Sequence, residues 1–425
     1  MRFHIQNFGC RAAQADGAAL ESLLAGGGHS PARAATDVEL IVLNTCTVTA
    51  QADDDVRQAI RRAHRDNPLS RILVTGCYAQ RAPEEIAALP GVDWVVGNSH
   101  KAEIASIVSG TEYHGQVHVG PIASDSPLLS AAIDDAAADR TRPNLKIQDG
   151  CNNVCTFCII PAVRGRSRST PADQAVDQVR ELAARYREVV LSGINLGRWG
   201  RESGLRLAGL IRRLLDETPV ERLRISSVEP MDFSDDLLAL MAASPRIAHH
   251  VHAPLQSGCD ATLKRMKRRY RSRHYATRVE TARRWMPDAS IGADVMTGFP
   301  GETAEEFEES RRFIESMPFT YLHVFTYSER PGTPAAGHAG TVPMHLRRER
   351  NEILRELAAA KNLAFRRRFI GRKLSAVTLQ TGALSDNFLK IELAVPRERN
   401  QIHELEIGGL TPQGLHEAGA LAVIR

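Results

Sequence analysis

The chain has 425 residues, of which 43% are hydrophobic and 24% charged, with a net charge of +4 and seven cysteines. That length exceeds one ordinary domain and predicts about two to four, with ample core for a soluble globular protein. No apolar run reaches membrane-spanning length, and the opening Met-Arg-Phe-His-Ile lacks the organisation of a signal peptide. A cytoplasmic protein without membrane partners is expected, in a reducing compartment where cysteines serve metals or catalysis more than disulfides.

Within residues 1–107, short apolar runs at Phe3–Asn7, Val38–Asn44, Ile72–Thr75 and Val92–Val96 predict strands, separated by helical stretches such as Asp53–His64 and Pro83–Leu89. This alternation implies a parallel sheet with helices on its faces. Three of the four strands lead into a cysteine: Cys10, Cys46 and Cys77. Ligands gather at the carboxyl ends of strands in open parallel sheets, so cysteines far apart in sequence can converge there. The triad reads either as three thiolates on an iron–sulfur cluster with one iron left open, or as three buried structural cysteines, since free Cys packs as a small apolar residue.

Residues 108–143 interrupt the rhythm, and Ala, Asp and Ser dominate Ala123–Asp139, which predicts a linker. Alternation resumes across residues 144–335. Strands are predicted at Leu145–Gln148, Glu188–Ser192, Arg222–Ser227, His250–Leu255, Ser290–Met296 and Tyr321–Thr326. Amphipathic helices are predicted at Ala172–Arg185, Leu205–Asp216, Asp235–Ala243, Ala276–Trp285 and Ala304–Met317. Six strand–helix units make an open (βα)6 partial barrel, whose active site would lie at the carboxyl ends of its strands. After the first of these strands stand Cys151, Cys155 and Cys158 in CxxxCxxC spacing. Three close thiolates suit a cubane cluster with one open, Lewis-acidic iron; the rival is a partial zinc knuckle, but zinc generally takes four ligands in two close pairs. Ser192 and Gly193 end the second barrel strand, as a ligand-binding backbone or a plain turn.

Pro331-Gly-Thr-Pro334 closes this domain, a charged helix near Leu346–Arg368 leads out through residues 336–371, and residues 372–425 form a small all-β unit with strands at Lys373–Leu379, Phe388–Val395 and Leu421–Arg425. Cationic runs at Arg164–Arg168, Lys264–Arg273 and Arg347–Lys373 fit a polyanionic partner such as RNA, or else solvated helix faces. Arg164-Gly-Arg-Ser-Arg168 itself either contacts substrate phosphates or covers the cluster loop. Cys259 reads as a structural thiol. Of His249, His250 and His252, only the last two share a strand face, and no carboxylate accompanies them at metal spacing in the sequence, which favours a packed or substrate-facing role.

The CxxxCxxC spacing resembles that of radical S-adenosylmethionine (SAM) enzymes. With Gly150-Cys-Asn152, Ile159-Ile-Pro-Ala-Val-Arg-Gly165, His252-Ala-Pro-Leu-Gln-Ser-Gly258 and Gly298-Phe-Pro-Gly-Glu-Thr303, nearly the whole chain is similar to the methylthiotransferase family of those enzymes. The resemblance implies that Cys151, Cys155 and Cys158 hold a [4Fe–4S] cluster that chelates and reductively cleaves SAM to a 5′-deoxyadenosyl radical. It implies that Cys10, Cys46 and Cys77 hold an auxiliary [4Fe–4S] cluster, and that Ser192 and Gly193 offer backbone groups to SAM. It also implies a C-terminal TRAM-like RNA-binding domain, a tRNA substrate and an external electron donor such as flavodoxin or ferredoxin. One SAM would methylate a sulfur at the auxiliary cluster and a second would yield the radical. Asn44-Thr-Cys-Thr-Val-Thr49 and Gly76-Cys-Tyr-Ala-Gln80 are similar to the branch that modifies C2 of N6-threonylcarbamoyladenosine at tRNA position 37; the alternatives are the isopentenyladenosine branch, the ribosomal-protein S12 branch and a non-catalytic zinc and RNA-binding module. That branch usually carries Asn three residues after its first cysteine, where this chain has Ala13.

Overall fold

The computed structural model describes residues 1–110, 116–123, 126, 128–129 and 141–419. Its first unit is a six-stranded sheet in the order β2-β1-β3-β4-β5-β6, with every neighbouring pair parallel. The strands are β1 (Arg2–Asn7), β2 (Ser30–Pro31), β3 (Leu40–Thr45), β4 (Arg71–Gly76), β5 (Val92–Val96) and β6 (Gln116–His118). Side chains alternate across the sheet. On one face Ile41, Leu43, Ile72 and Val74 pack with Val56 and Ile60 of α2 (Ala50–Asp66) and with α3 (Cys77–Arg81) and α4 (Pro83–Ala87). On the other face Phe3, Leu40, Val42, Leu73 and Trp94 meet α1 (Arg11–Gly26) and α5 (Ile104–Ser109). The segment expected as a linker contributes β6 as an edge strand; most of Ala123–Asp139 lies outside the described residues.

The central unit runs β7 (Asn144–Asp149), α6 (Ile160–Arg164), β8 (Arg168–Ser169), α7 (Ala172–Ala183), β9 (Glu188–Gly193), α8 (Leu207–Glu217), β10 (Arg222–Ile225), α9 (Asp235–Ala243), β11 (His250–His252), α10 (Asp260–Arg265), α11 (Ser272–Trp285), β12 (Ser290–Thr297), α12 (Ala304–Ser316) and β13 (Tyr321–Thr326). Two parallel stretches, β7-β9-β10 and β11-β12-β13, are joined through a parallel bridge between Leu223 and Ile247. The result is the expected partial barrel of six parallel strands, with β8 added antiparallel to β7. Leu145, Ile147, Val189, Leu191, Leu223, Ile291 and Val295 point outward into the core under the helices. By alternation, Lys146, Gln148, Ser192, Arg224, His252, Asp294 and His323 face the interior. β11 stops at His252 instead of Leu255, because Leu255 and Gln256 both turn their N–H groups to the Asp294 carbonyl and Gln256 takes a φ of 68°.

α13 (Met344–Arg367) leads to a closed barrel, β14-β15-β16-β18-β17, built from β14 (Lys373–Thr378), β15 (Ala383–Ser385), β16 (Lys390–Glu392), β17 (Ile402–Leu410) and β18 (Leu415–Glu417). β16 begins after Phe388, since a φ of 66° puts that residue in a turn; Leu421–Arg425 lies outside the described residues. The turn has a purpose in the packing. Phe388 stacks on His250 with ring centroids 4.2 Å apart, and Arg224 donates to the carbonyls of Ser385 (2.9 Å) and Asp386 (3.1 Å), so the small barrel closes the amino-terminal end of the central one. Among the described residues no helix is long and apolar enough to cross a membrane.

The first sheet is fastened to the central barrel by Arg330. It bonds Thr47 Oγ1 at 2.9 Å and pairs with Asp53, which also accepts from Arg81 at 2.9 Å. Asp53 is buried, so Asp53→Ala leaves two guanidiniums without their carboxylate; a loss of about 3–5 kcal/mol is expected, read as a lower urea midpoint.

Candidate functional site

Strand register explains how the first triad forms. Thr45 pairs with Gly76, and Cys46 and Cys77 are the next residues on each chain. Asn7 pairs with Asn44, and the turn through Phe8 and Gly9 carries Cys10 to the start of α1. Gly9 has a φ of 95°, and a Cβ there would stand 2.4 Å from Cys46 Cβ, so only glycine lets these loops close on one another. Ala13, where the family resemblance leads one to expect Asn, is buried; the amide at this spot comes from Asn44, which donates to the Ala13 carbonyl at 2.6 Å and to Asn7 Oδ1 at 2.9 Å.

The second triad occupies the loop after β7. Gly150, at a φ of 71°, lies against the Arg166 carbonyl, where a Cβ would come within 2.1 Å. The sulfurs receive donors: Asn153 N and Asn195 Nδ2 reach Cys151 Sγ at 3.4 and 3.5 Å, and Arg268 Nη1 reaches Cys155 Sγ at 3.3 Å. Ser192 and Gly193 lie beside this loop at the end of β9. The Ser192 hydroxyl points to the Leu145 carbonyl at 3.5 Å, and Gly193 packs against Gln148, whose Oε1 accepts from Asn195 N at 2.6 Å.

The two triads flank α6. Cys77 packs against Ile159 and Val163, immediately after Cys158, and Asn98 Nδ2 donates to the Val163 carbonyl at 2.7 Å and to Cys77 Sγ at 3.7 Å. Arg164 then enters a buried charge network. Its guanidinium bonds Asp16 at 2.9 Å and Asp149 at 3.0 Å; Lys101 bonds Asp16 at 3.0 Å; Lys146 bonds Asp149 at 2.9 Å and also Asp16. Burial works against the charge on both carboxylates, but the surrounding cations outweigh it. Asp149 is pulled down to about 2 and Asp16 is held well below the carboxylate range. Burial, then the neighbouring Cys77, pushes the Cys46 thiol up to about 11, while Arg164 opposes the rise. Burial likewise pushes Cys158 up to about 12.

The donor chemistry fits clusters: each triad offers three free cysteine sulfurs, the usual protein ligands of an iron–sulfur cluster, and N–H donors stand at Cys151 and Cys155.

Several expectations change. Arg164 is buried against carboxylates and is not a phosphate contact. Part of the other basic runs is internal: Arg268 pairs with Glu229, Arg350 with Glu302, Arg265 with Glu306, while Arg347 and Arg366 bond main-chain carbonyls. Arg166, Lys264, Lys267, Arg269, Arg271 and Arg273 stay exposed, as do Arg348, Arg367, Arg368, Arg372 and Lys373 of the third run. Cys259 is buried and donates to Glu309, apart from both triads. His252 does meet a carboxylate: Asp294 and His323, from the next two strands, converge on it. Asp16, Lys101, Asn98 and Asn195 carried no sequence signal, and Arg268 showed only as one of a basic run, because each reaches its cysteine or charge partner across the fold.

The Radical SAM superfamily matches residues 145–314, and Uncharacterized protein family UPF0004 matches residues 2–97. A Bacillus subtilis protein named threonylcarbamoyladenosine tRNA methylthiotransferase is 40% identical over 372 residues, covering 85% of this chain and 80% of that one. This chain belongs to the radical SAM methylthiotransferase family. Family membership brings a [4Fe–4S] cluster and SAM as cofactors. A Saccharopolyspora erythraea member named tRNA-2-methylthio-N(6)-dimethylallyladenosine synthase is 31% identical, covering 97% of this chain and 85% of that one. In fold, the chain resembles the radical SAM methyltransferase TsrM of Kitasatospora setae, with a TM-score of 0.58 and 16% identity over 79% of this chain and 76% of that one.

The methylthiotransferase's cysteines differ in accessibility, Cys10 being exposed and Cys46 buried. In metal-free protein pH 8 lies below the raised values of Cys46 and Cys158, which stay protonated, and the thiol is the unreactive form. Iodoacetamide labelling followed by mass spectrometry should therefore modify Cys10 before either of these two.

Proposed function

We propose that this chain transfers a methylthio group to C2 of N6-threonylcarbamoyladenosine at position 37 of tRNA. The observation that carries the reading is the junction around α6, where Cys77 of one cysteine triad packs against Ile159 and Val163, just after Cys158 of the other. In this reading Cys151, Cys155 and Cys158 hold the SAM cluster and Cys10, Cys46 and Cys77 hold a second [4Fe–4S] cluster. When bound, these groups supply reductive cleavage of SAM and the site of sulfur transfer; the protein supplies position and charge. Ser192 and Gly193, beside Asn195 and Cys151, present strand-end backbone to the SAM amino acid. Arg268 and Asn195 steady the cluster sulfurs by charge-assisted and neutral hydrogen bonds. The electron comes from an external carrier such as flavodoxin or ferredoxin, in the cytoplasm.

RNA binding is supported by a cleft of ≈ 740 Å³ between the small β-barrel and the rest of the chain, lined by Arg11 and Lys390, and by Arg142 and Arg397, which also pair with Glu188 and Glu417. Cations gathered in a groove attract a phosphate backbone and release its counterions. The choice of base follows the curated relatives named for threonylcarbamoyladenosine, at 32% to 40% identity over most of the chain.

Mass spectrometry of tRNA nucleosides from a strain lacking this protein tests the substrate. The 2-methylthio derivative of threonylcarbamoyladenosine should vanish and its precursor accumulate. Loss of the dimethylallyl derivative instead, or an intact nucleoside profile with an altered S12 protein, would assign the chain to another branch.

A further inference from the structure

Inside the central barrel, three polar side chains from adjacent strands meet. Asp294 Oδ1 lies 3.1 Å from His323 Nδ1 and 3.3 Å from His252 Nε2, and Ser227 Oγ lies 2.7 Å from His252 Nδ1. The trio is graded in exposure: the side chains of His252, Asp294 and His323 are 7%, 24% and 52% exposed. His323 is therefore the tip and the other two its support. The site adjoins both halves of the chemistry. The Pro254 carbonyl just beyond His252 accepts from Tyr270, which itself bonds Arg268, the donor to Cys155. On the other side Arg11, which follows Cys10, is tied to the barrel by Asn144 and lies close enough to Tyr321 for its charge to act there.

We propose that His323, held by Asp294 and His252, is the specificity-determining residue that binds the acidic N6 substituent of the target base, an inference that rests on the tRNA methylthiotransferase reading above. With Nδ1 turned to a carboxylate, the imidazole is fixed in orientation, and Nε2 on the opposite edge is left for an incoming acceptor. Carrying a proton on both nitrogens, the ring donates to Asp294 from one edge and to a substrate carboxylate from the other. Tyr321 and Phe325 stand on either side of His323 along β13, with ring centroids 5.3 and 6.4 Å from it, and give the pocket flat apolar walls. The curated relatives carry two N6 substituents in their names, threonylcarbamoyl and dimethylallyl. The first ends in a carboxylate and a hydroxyl; the second is a hydrocarbon. A hydrocarbon seated on this trio would desolvate an ionised Asp294 and two imidazoles without repaying their lost hydrogen bonds, so the wall selects for the acid.

The test is equilibrium binding of anticodon stem-loops to the cluster-loaded full chain, comparing the threonylcarbamoyl form with its carboxylate methyl ester. Wild type should bind the acid about 10- to 100-fold tighter than the ester, the worth of a hydrogen bond between charged partners. In His323→Ala that ratio should fall to near one, with His323→Gln between the two. Because the ratio is taken within one variant, partial misfolding cancels. A ratio that persists in His323→Ala, or a wild-type ratio near one, overturns the assignment. So does one equivalent of divalent metal per chain, beyond cluster iron, that His323→Ala loses, since the trio would then be a metal centre. Wild-type turnover of the dimethylallyl stem-loop alone would overturn the underlying substrate reading first, and this one with it.

Discussion

The pairing of Asp16 and Asp149 with Lys101, Lys146 and Arg164 is the interaction on which the rest of the molecule depends. Asp16 belongs to α1 of the first sheet, Lys101 to the loop after β5, and the other three to the first strand and helix of the central barrel. All five are buried, and none can lose its partner cheaply, since stripping one member from a buried pair costs about 3–5 kcal/mol. The network fixes which way the first sheet faces, and hence where Cys10 stands relative to Cys151. It also carries an imbalance. Three cations face two carboxylates, and the surplus lies beside Cys10 and Cys77, whose charges act on Arg164.

A second constraint works from the opposite end of the barrel. Glu188, fully buried, holds Arg224 at 2.8 Å and Arg142 at 3.2 Å, and these cations pull its pKa down to about 2 against the effect of burial. Arg224 in turn holds the small β-barrel, whose Phe388 fills the space under His250. The small barrel packs at the end of the central one opposite the strand end that carries Cys151, Cys155 and Cys158. His249 reinforces the closure through Asp386 at 3.1 Å. The small barrel therefore acts as a structural plug as well as one wall of the cationic cleft.

Local signals in the sequence carried most of the architecture. β13 is the predicted Tyr321–Thr326 and α9 the predicted Asp235–Ala243, because each has an unbroken apolar period and clear boundaries. The cysteines were legible for the same reason: each follows a strand or sits in a tight motif. Short pieces escaped. β15, β16 and β18 have three residues each and owe their pairing to barrel closure, not to propensity. The Phe388–Val395 run read as one strand because a positive φ at Phe388 leaves no mark in composition. What sequence could not supply is long-range pairing of charges. Arg164 and Asp16 are 148 positions apart, and Asp294 and His323 are joined only through strand register. The basic runs divide for the same reason: Arg268 and Arg350 turn to internal glutamates while Lys264, Lys267, Arg269, Arg271 and Arg273 stay exposed, and composition does not tell one from the other.

Iron and sulfide content after anaerobic reconstitution tests the two-triad account most directly. The account predicts about eight irons and eight sulfides per chain, and about four of each when Cys151, Cys155 and Cys158 are replaced together by Ala. A colourless, zinc-containing protein would contradict it, as would loss of all the iron on removing that one triad.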